Sequence, residues 1–359
     1  MSSPLDELTR TTGEWLRGEG PMSDVVVSSR IRLARNLAEY PFVSTAGPSE
    51  RTEVFRRLVD EITALPFGRD ALVVDMSETD SIDREVLVER NLISRQHAAG
   101  DGARGVTVSP NETQAVMINE EDHLRIQVLR SGMQLEVLWE DATAIDDNLS
   151  QKVAYAFDKQ LGYLTACPTN VGTGIRVSVM LHLPALRLTK EIERVARAAR
   201  DLRLAVRGLH GEGTEAVGDL YQISNQTTLG KSEQAIIQTF TKTIIPKIVE
   251  YEQTARDSLD KRRVHQVDDK IWRAYGVLSQ TRCISSAETQ SLLSPIRMGI
   301  HMGRFDRIDI RMLNELFLQT QPAHLQRLLG KVLDEEERGV ARANYLRRRI
   351  ADASAPRSN

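Results

Sequence analysis

Between two runs of strand character, Ala115-Val-Met-Ile118 and Leu124-Arg-Ile-Gln-Val128, the chain sets Asn119-Glu120-Glu121-Asp122-His123. Three consecutive carboxylates are costly to bury and awkward in a strand interior. The pattern predicts that the two runs pair antiparallel through a bend, which leaves the acids at a strand end. Arg125 follows Glu121 by four residues. Acids crowded beside a cation suit a site where a positively charged group comes and goes. This corner therefore predicts an antiparallel sheet with chemistry at one end.

Cations of the opposite kind lie elsewhere. After a strand-like Val25-Val26-Val27, Ser28-Ser29-Arg30-Ile31-Arg32 alternates, so Arg30 and Arg32 project to one face. Same-face guanidiniums without nearby acids form a clamp for phosphate oxygens, although a solvated strand face fits the same pattern. Arg125, Arg176 and Arg207 occupy comparable strand or strand-end positions. Five such arginines suit a triphosphate and the charge spread over a transferring phosphoryl group. Glu121 either pairs with Arg125 or grips an incoming guanidinium and takes its proton. Glu212 offers a second carboxylate, in a segment made turn-like by Gly208, Gly211 and Gly213. Cys167, ahead of Pro168, is either an inert buried thiol or a thiolate stabilised by arginines. Cationic clamp and acidic acceptor site together point to phosphoryl transfer onto a guanidinium.

Other sites find less support. Asn225-Gln-Thr-Thr-Leu-Gly230-Lys231-Ser232 lacks the first glycine of a P-loop and reads as a loop ending in the helix cap Ser232. No His or Cys pair has zinc spacing, and no dedicated metal site is expected. With 47 Lys plus Arg against 50 Asp plus Glu, the net charge of −3 argues against nucleic-acid or membrane-surface binding. A DNA-binding role for the basic C-terminal helix gains little from that balance. Two cysteines, a polar start and no run of about 18 apolar residues predict a soluble cytoplasmic protein.

Periodicity predicts helices over 49–65 (capped by Ser49), 135–161, 190–202 and 232–251, and strands over 71–75, 163–166, 175–183, 204–209 and 220–224. Beyond residue 255 only helical patterns remain, over 261–283, 286–300, 308–319, 323–333 and 335–352. Cys283 would lie in a helix and in the core. The fold class is α+β: a polar lead-in over 1–23, a catalytic domain over 24–255 with an antiparallel sheet flanked by helices, an all-helical C-terminal domain over 256–352, and a tail over 353–359.

Four ordered motifs resemble those of the phosphagen (ATP:guanido) kinases: Ser28-Ser-Arg-Ile-Arg32, Asn119-Glu-Glu-Asp-His-Leu-Arg125, Cys167-Pro-Thr-Asn-Val-Gly-Thr-Gly174 and Ser224-Asn-Gln-Thr-Thr-Leu-Gly230. Helices after the catalytic segment, rather than before the first arginine motif, resemble the bacterial protein-arginine kinases of the McsB type. The resemblance implies a phosphagen-kinase-like catalytic domain. It implies that ATP, with Mg2+ carried on the nucleotide, sits against Ser28, Ser29, Arg30, Ile31 and Arg32, His97 and Arg125. Arg176, Val177, Ser178, Val179 and Met180, and then Arg207, Gly208, Leu209, His210, Gly211 and Glu212, would complete that site. It implies that Glu121 and Glu212 hold and activate the substrate guanidinium beside Cys167. It further implies an allosteric phosphoarginine site at Arg338 and Arg342, where Gly339 stands in place of the family's aspartate. Implied partners are proteins bearing exposed arginine, a Clp-type unfoldase and protease, a zinc-binding activator adaptor, a heat-shock repressor and a second copy in a homodimer. A kinase for a small guanidino metabolite and a non-catalytic phosphoarginine-binding adaptor remain alternatives.

Overall fold

A computed structural model describes residue 5, residues 8 and 9, and residues 11–208 and 217–354. Among the described residues an antiparallel sheet of eight strands has β1 (Val26–Arg35) at its centre. On one side follow β5 (Leu124–Ser131), β4 (Gln114–Ile118), β3 (Gly105–Val108) and β2 (Leu72–Asp75). On the other lie β8 (Ile175–His182), β10 (Leu220–Asn225) and β9 (Leu204–Gly208). Phe157–Asp158 and Gly162–Tyr163 form a small hairpin, β6 and β7.

Strand alternation splits the sheet into two unlike faces. Ile31, Leu33, Ile126, Val128, Val177 and Val179 point to one face and are fully buried. Each contributes about 1.5–3 kcal/mol by leaving water. Helices α1 (Pro48–Thr63) and α4 (Leu135–Ser150) cover them, with α1 presenting Val54, Leu58 and Ile62 at i, i+4, i+8. The opposite face is apolar only at its margins. Val106, Val108 and Met117 meet Leu87 of α2 (Ser81–Glu89), while Leu129, Met180 and Leu220 meet Trp15 and the C-terminal helices. Its middle carries the arginines.

Some predicted elements shift. α1 starts from Gly47, whose N–H donates to Glu50 at 2.7 Å, with Pro48 rather than Ser49 opening the helix. α4 stops at Ser150 instead of running to 161, because residues 154–156 pair with 36–38 and Tyr163 stacks under Arg35. Helices α2 and α3 (Arg95–Ala99) occupy a stretch given no element above. Downstream come α5 (Pro184–Leu188), α6 (Ile192–Asp201), α7 (Glu233–Thr239), capped by Ser232 as expected, and α8 (Ile245–Arg262). A π turn over Phe240–Ile244 precedes α8, where Pro246 lacks a donor. The helical C-terminal region contains α9 (Val264–Gln280), α10 (Ser286–His301), α11 (Ile310–Gln319), α12 (Pro322–Leu329) and α13 (Glu335–Ser354). Among the described residues no helix is long and apolar enough to cross a membrane.

One carboxylate joins the sheet's helical cover to this region. Glu89, at the end of α2, accepts from the N–H groups of Ala323 (2.8 Å) and His324 (3.0 Å) and from His324 Nδ1 (2.6 Å). It thus caps the start of α12, where a negative charge is favoured. Beside it Arg90 is wholly buried and ion-paired with Glu112, and it donates to Thr11 O at 2.9 Å.

His97 is buried and His301 half-buried. Lost hydration holds both at about 4, below the usual 6.5. A base depressed in the fold binds its proton more readily once unfolded, so each adds stability above pH 6.5 that drains away as pH falls towards 4. The thermal midpoint is therefore expected to drop on acidification through that window. A flat profile between pH 6.5 and 4 in differential scanning calorimetry would contradict the assignment.

Candidate active site

Register brings the arginines of four separate strands together. Arg30 stands opposite Ser178, and Arg32 opposite Arg176 on one side and Gln127 on the other. Arg125 lies two residues along from Gln127, and Arg207 is opposite Gln222. Directly paired residues share a face, so Arg30, Arg32, Arg125, Arg176 and Arg207 all project from the same side of the sheet. Arg30 donates to Ser178 Oγ (3.2 Å) and Gln222 Oε1 (2.9 Å), and Arg176 donates to Ser224 Oγ (3.2 Å). Arg32 Nε is buried with no hydrogen-bond partner among the described residues. Burial, then the neighbouring Arg176 and Arg125, pulls Arg30 down to about 10; burial followed by Arg30 lowers Arg32 well below its ordinary range. Arg30 thus remains a cation at neutral pH, and like charge crowds this part of the sheet. An anion placed among them relieves that repulsion.

At the rim, β4 turns into β5 through residues 119–123, with Asn119 at φ 58° and its N–H bonded to His123 O. Arg125 pairs with Glu120 at 2.6 Å and with Glu121 at 3.0 Å. It is therefore not an acid-free arginine like Arg30. Glu120 is buried and also accepts from Ser94, whereas the Glu121 side chain stays 33% exposed. Asp122 points inward and ties the turn to its surroundings. Its Oδ1 accepts from Asn36 Nδ2 (2.6 Å) and from the Ala166 N–H (2.7 Å). That second bond holds the Cys167 loop against the acidic turn. Cys167 is partly exposed, with Sγ 3.0 Å from Thr169 Oγ1. Thr228 Oγ1 donates to Val171 O at 2.7 Å, which packs the 224–230 motif on the same loop.

A cavity of about 880 Å³ opens over the basic face. Arg30, Arg32, Gln127 and Gln222 form its floor, Asn91 and Ser94 one wall, and Phe317, Gln321 and Arg338 of the C-terminal helices another. Among the described residues no group of three His, Cys, Asp or Glu is placed to hold a metal ion. The floor, cationic and short of carboxylates, fits a polyphosphate.

Residues 53–255 match the ATP:guanido phosphotransferase C-terminal catalytic domain, and residues 264–359 the protein-arginine kinase McsB C-terminal domain. A protein-arginine kinase from Symbiobacterium thermophilum is 46% identical over 96% of this chain and 98% of its own length. The chain belongs to the protein-arginine kinase family. A second protein-arginine kinase, from Halothermothrix orenii, is 45% identical with the same coverage. The crystal structure of lombricine kinase superposes with a TM-score of 0.58 and 27% identity, covering 68% of this chain and 71% of that one. A duplicated taurocyamine kinase from Schistosoma mansoni gives 0.57 and 26%, covering 66% of this chain and 34% of that chain. This member of the protein-arginine kinase family is an ATP-dependent phosphotransferase with a guanidino acceptor.

Not every residue named from the sequence reaches the site of this protein-arginine kinase relative. Ser29, Ile31, Val177 and Val179 alternate to the far face and are buried there, so their side chains cannot line the cavity floor. Ser29 Oγ instead donates to Gly132 O. Ser28 and Met180 share the arginine face but are buried beneath the cavity, and Gly208 ends β9 beside Tyr221. His97 is buried in α3, donating from Nε2 to Gly105 O at 3.0 Å, and Asn91 takes the place on the cavity wall. Leu209, His210, Gly211 and Glu212 lie outside the described residues. Cys283 is exposed in the loop between α9 and α10, neither helical nor core. Arg338 lines the cavity and donates to Leu333 O at 2.7 Å. Arg342 is buried, donating to Thr320 O (2.7 Å) and Ile284 O (2.9 Å). A Cβ on Gly339 would fall 2.7 Å from Cys283 Sγ, so a side chain there requires the exposed Cys283 side chain to turn aside. Asn91, Gln127 and Gln222 carry no charge, so residue type alone does not mark them. The alternation Arg125, Gln127 and Leu220, Gln222, Ser224 is the signal that points to the last two.

Proposed function

We propose that this chain phosphorylates arginine side chains of proteins. ATP lies on the basic face with its phosphates among Arg30, Arg32, Arg125, Arg176 and Arg207, and Mg2+ arrives on the nucleotide. The acceptor guanidinium enters at the rim, where Glu121 turns from Arg125 to grip it bidentately. A guanidinium nitrogen attacks the γ-phosphorus in line. The N–P bond forms, the bond from γ-phosphorus to the bridging oxygen breaks, ADP departs, and the proton lost from nitrogen passes to the Glu121 carboxylate. Glu212 would supply a second carboxylate and Cys167 would flank the acceptor.

The observation that carries this reading is the meeting of a cationic cavity floor, Arg30 and Arg32, with a partly exposed carboxylate at Glu121 beside Arg125. A phosphoarginine effector would bind near Arg338, with Arg342 bracing the helix from its buried position. The modified proteins would pass to a Clp-type unfoldase and protease in the cytoplasm, a heat-shock repressor among them, with a zinc-binding adaptor as activator. Exposed Trp272 and Val277 on α9 support a homodimer.

Incubation with Mg-ATP and a protein rich in exposed arginine, alongside free arginine, tests the proposal by mass spectrometry under non-acidic conditions. Acid-labile phosphate is expected on protein arginines. Label confined to free arginine would instead make the chain a small-metabolite kinase, and phosphoarginine protein bound without transfer to either acceptor would favour a binding adaptor.

A further inference from the structure

Arg35, Arg90 and Arg256 are buried and each meets a carboxylate, from Asp146, Glu112 and Glu252 respectively. Arg30, half-buried on the cavity floor, is held at all three of its nitrogens by neutral side-chain acceptors. Nε donates to Ser178 Oγ at 3.2 Å, Nη1 to Gln127 Oε1 at 3.5 Å and Nη2 to Gln222 Oε1 at 2.9 Å. Gln127 is itself fixed, because its Nε2 donates to Asn91 O at 2.7 Å and so turns its oxygen towards Arg30. A carboxamide oxygen orients a guanidinium through a single neutral hydrogen bond, weaker than a carboxylate's, and leaves its positive charge uncompensated.

We infer that Gln222, backed by Gln127 and Ser178, is a positioning residue that aims Arg30 at the nucleotide phosphates without neutralising it. This rests on the proposed reading of the basic face as the nucleotide site. A glutamate of the same shape at 222 would ion-pair with Arg30 and compete with phosphate for its charge. Specificity for the polyphosphate thus depends on an amide whose only difference from an acid is one heteroatom.

Isothermal titration of wild type, Q222E, Q222M and R30A with Mg-ATP, Mg-ADP and AMP tests the inference. Q222E is expected to weaken Mg-ATP and Mg-ADP by about ten-fold or more and AMP by less, since the lost attraction grows with phosphate charge. Q222M, uncharged but unable to accept, should weaken them by less than Q222E. In steady state the KM for ATP should rise while that for the protein substrate holds, and the thermal midpoint of Q222E should not fall. Equal affinity of Q222E and wild type for all three nucleotides, with R30A weakened, overturns this inference alone. Loss by Q222E of all three nucleotides in equal measure, with a lowered thermal midpoint, assigns Gln222 a merely structural role and also overturns it. If R30A binds Mg-ATP as tightly as wild type, the nucleotide reading of the face falls, and this inference with it.

Discussion

Glu121→Gln is expected to lower turnover of protein phosphorylation by about 10²- to 10⁴-fold, the range associated with losing a positioned proton acceptor. Glutamine keeps the shape and one acceptor oxygen, so the acceptor arginine still docks. What is lost, on the proposed mechanism, is the charge that would grip the guanidinium and the base that would take its proton. Nucleotide affinity should change by no more than about three-fold, because Arg125 retains its stronger partner Glu120 at 2.6 Å. Single-turnover phosphorylation under saturating Mg-ATP separates the two effects. Turnover of the variant within a few-fold of wild type would remove Glu121 from the chemistry and return it to the role of a partner for Arg125.

The largest effect on stability is expected at Glu112. Its carboxylate is 4% exposed and holds Arg90, which is fully buried, through Nε at 2.8 Å and a second bond from Nη2. Glu112→Ala leaves a guanidinium in the interior with neutral partners only: the Thr11 carbonyl and hydroxyl, and His324 Nε2 at 3.3 Å. Breaking a buried pair from one side destabilises by about 3–5 kcal/mol. Urea denaturation should show that loss, and removing the stranded charge as well, with Arg90→Met, should recover much of it. A loss under about 1 kcal/mol would mean that Arg90 is solvated by another route.

The sequence made some of this legible because charge and periodicity speak for themselves. Arg30 and Arg32 could be assigned to one face from spacing alone, and the acidic bend to a strand end, although Glu120 and Asp122 are buried there through their hydrogen bonds and only Glu121 stays partly exposed. The helices beyond residue 255 were visible because each has a clear 3.6-residue period. Other features needed three dimensions. Ser29 and Ile31 belong to the same motif as Arg30, but strand alternation sends them into the core. His97 carries a functional residue type, yet it packs beneath the site while Asn91 lines the cavity. Gln127 and Gln222 are ordinary polar residues until register places them against Arg30. α4 stops short because pairing between residues 154–156 and 36–38 outweighs helical propensity. The arginines near residue 340 share a helical face in sequence, but Arg342 is turned inward to carbonyls that only the packing of α10 to α13 supplies.

Glu89 belongs both to the rim of the 880 Å³ cavity and to the first turn of α12. Because three hydrogen bonds converge on that single carboxylate, α2 cannot slide without dragging α12. An occupant that spread the cavity would have to break those three bonds or carry α2 and α12 apart from the sheet together.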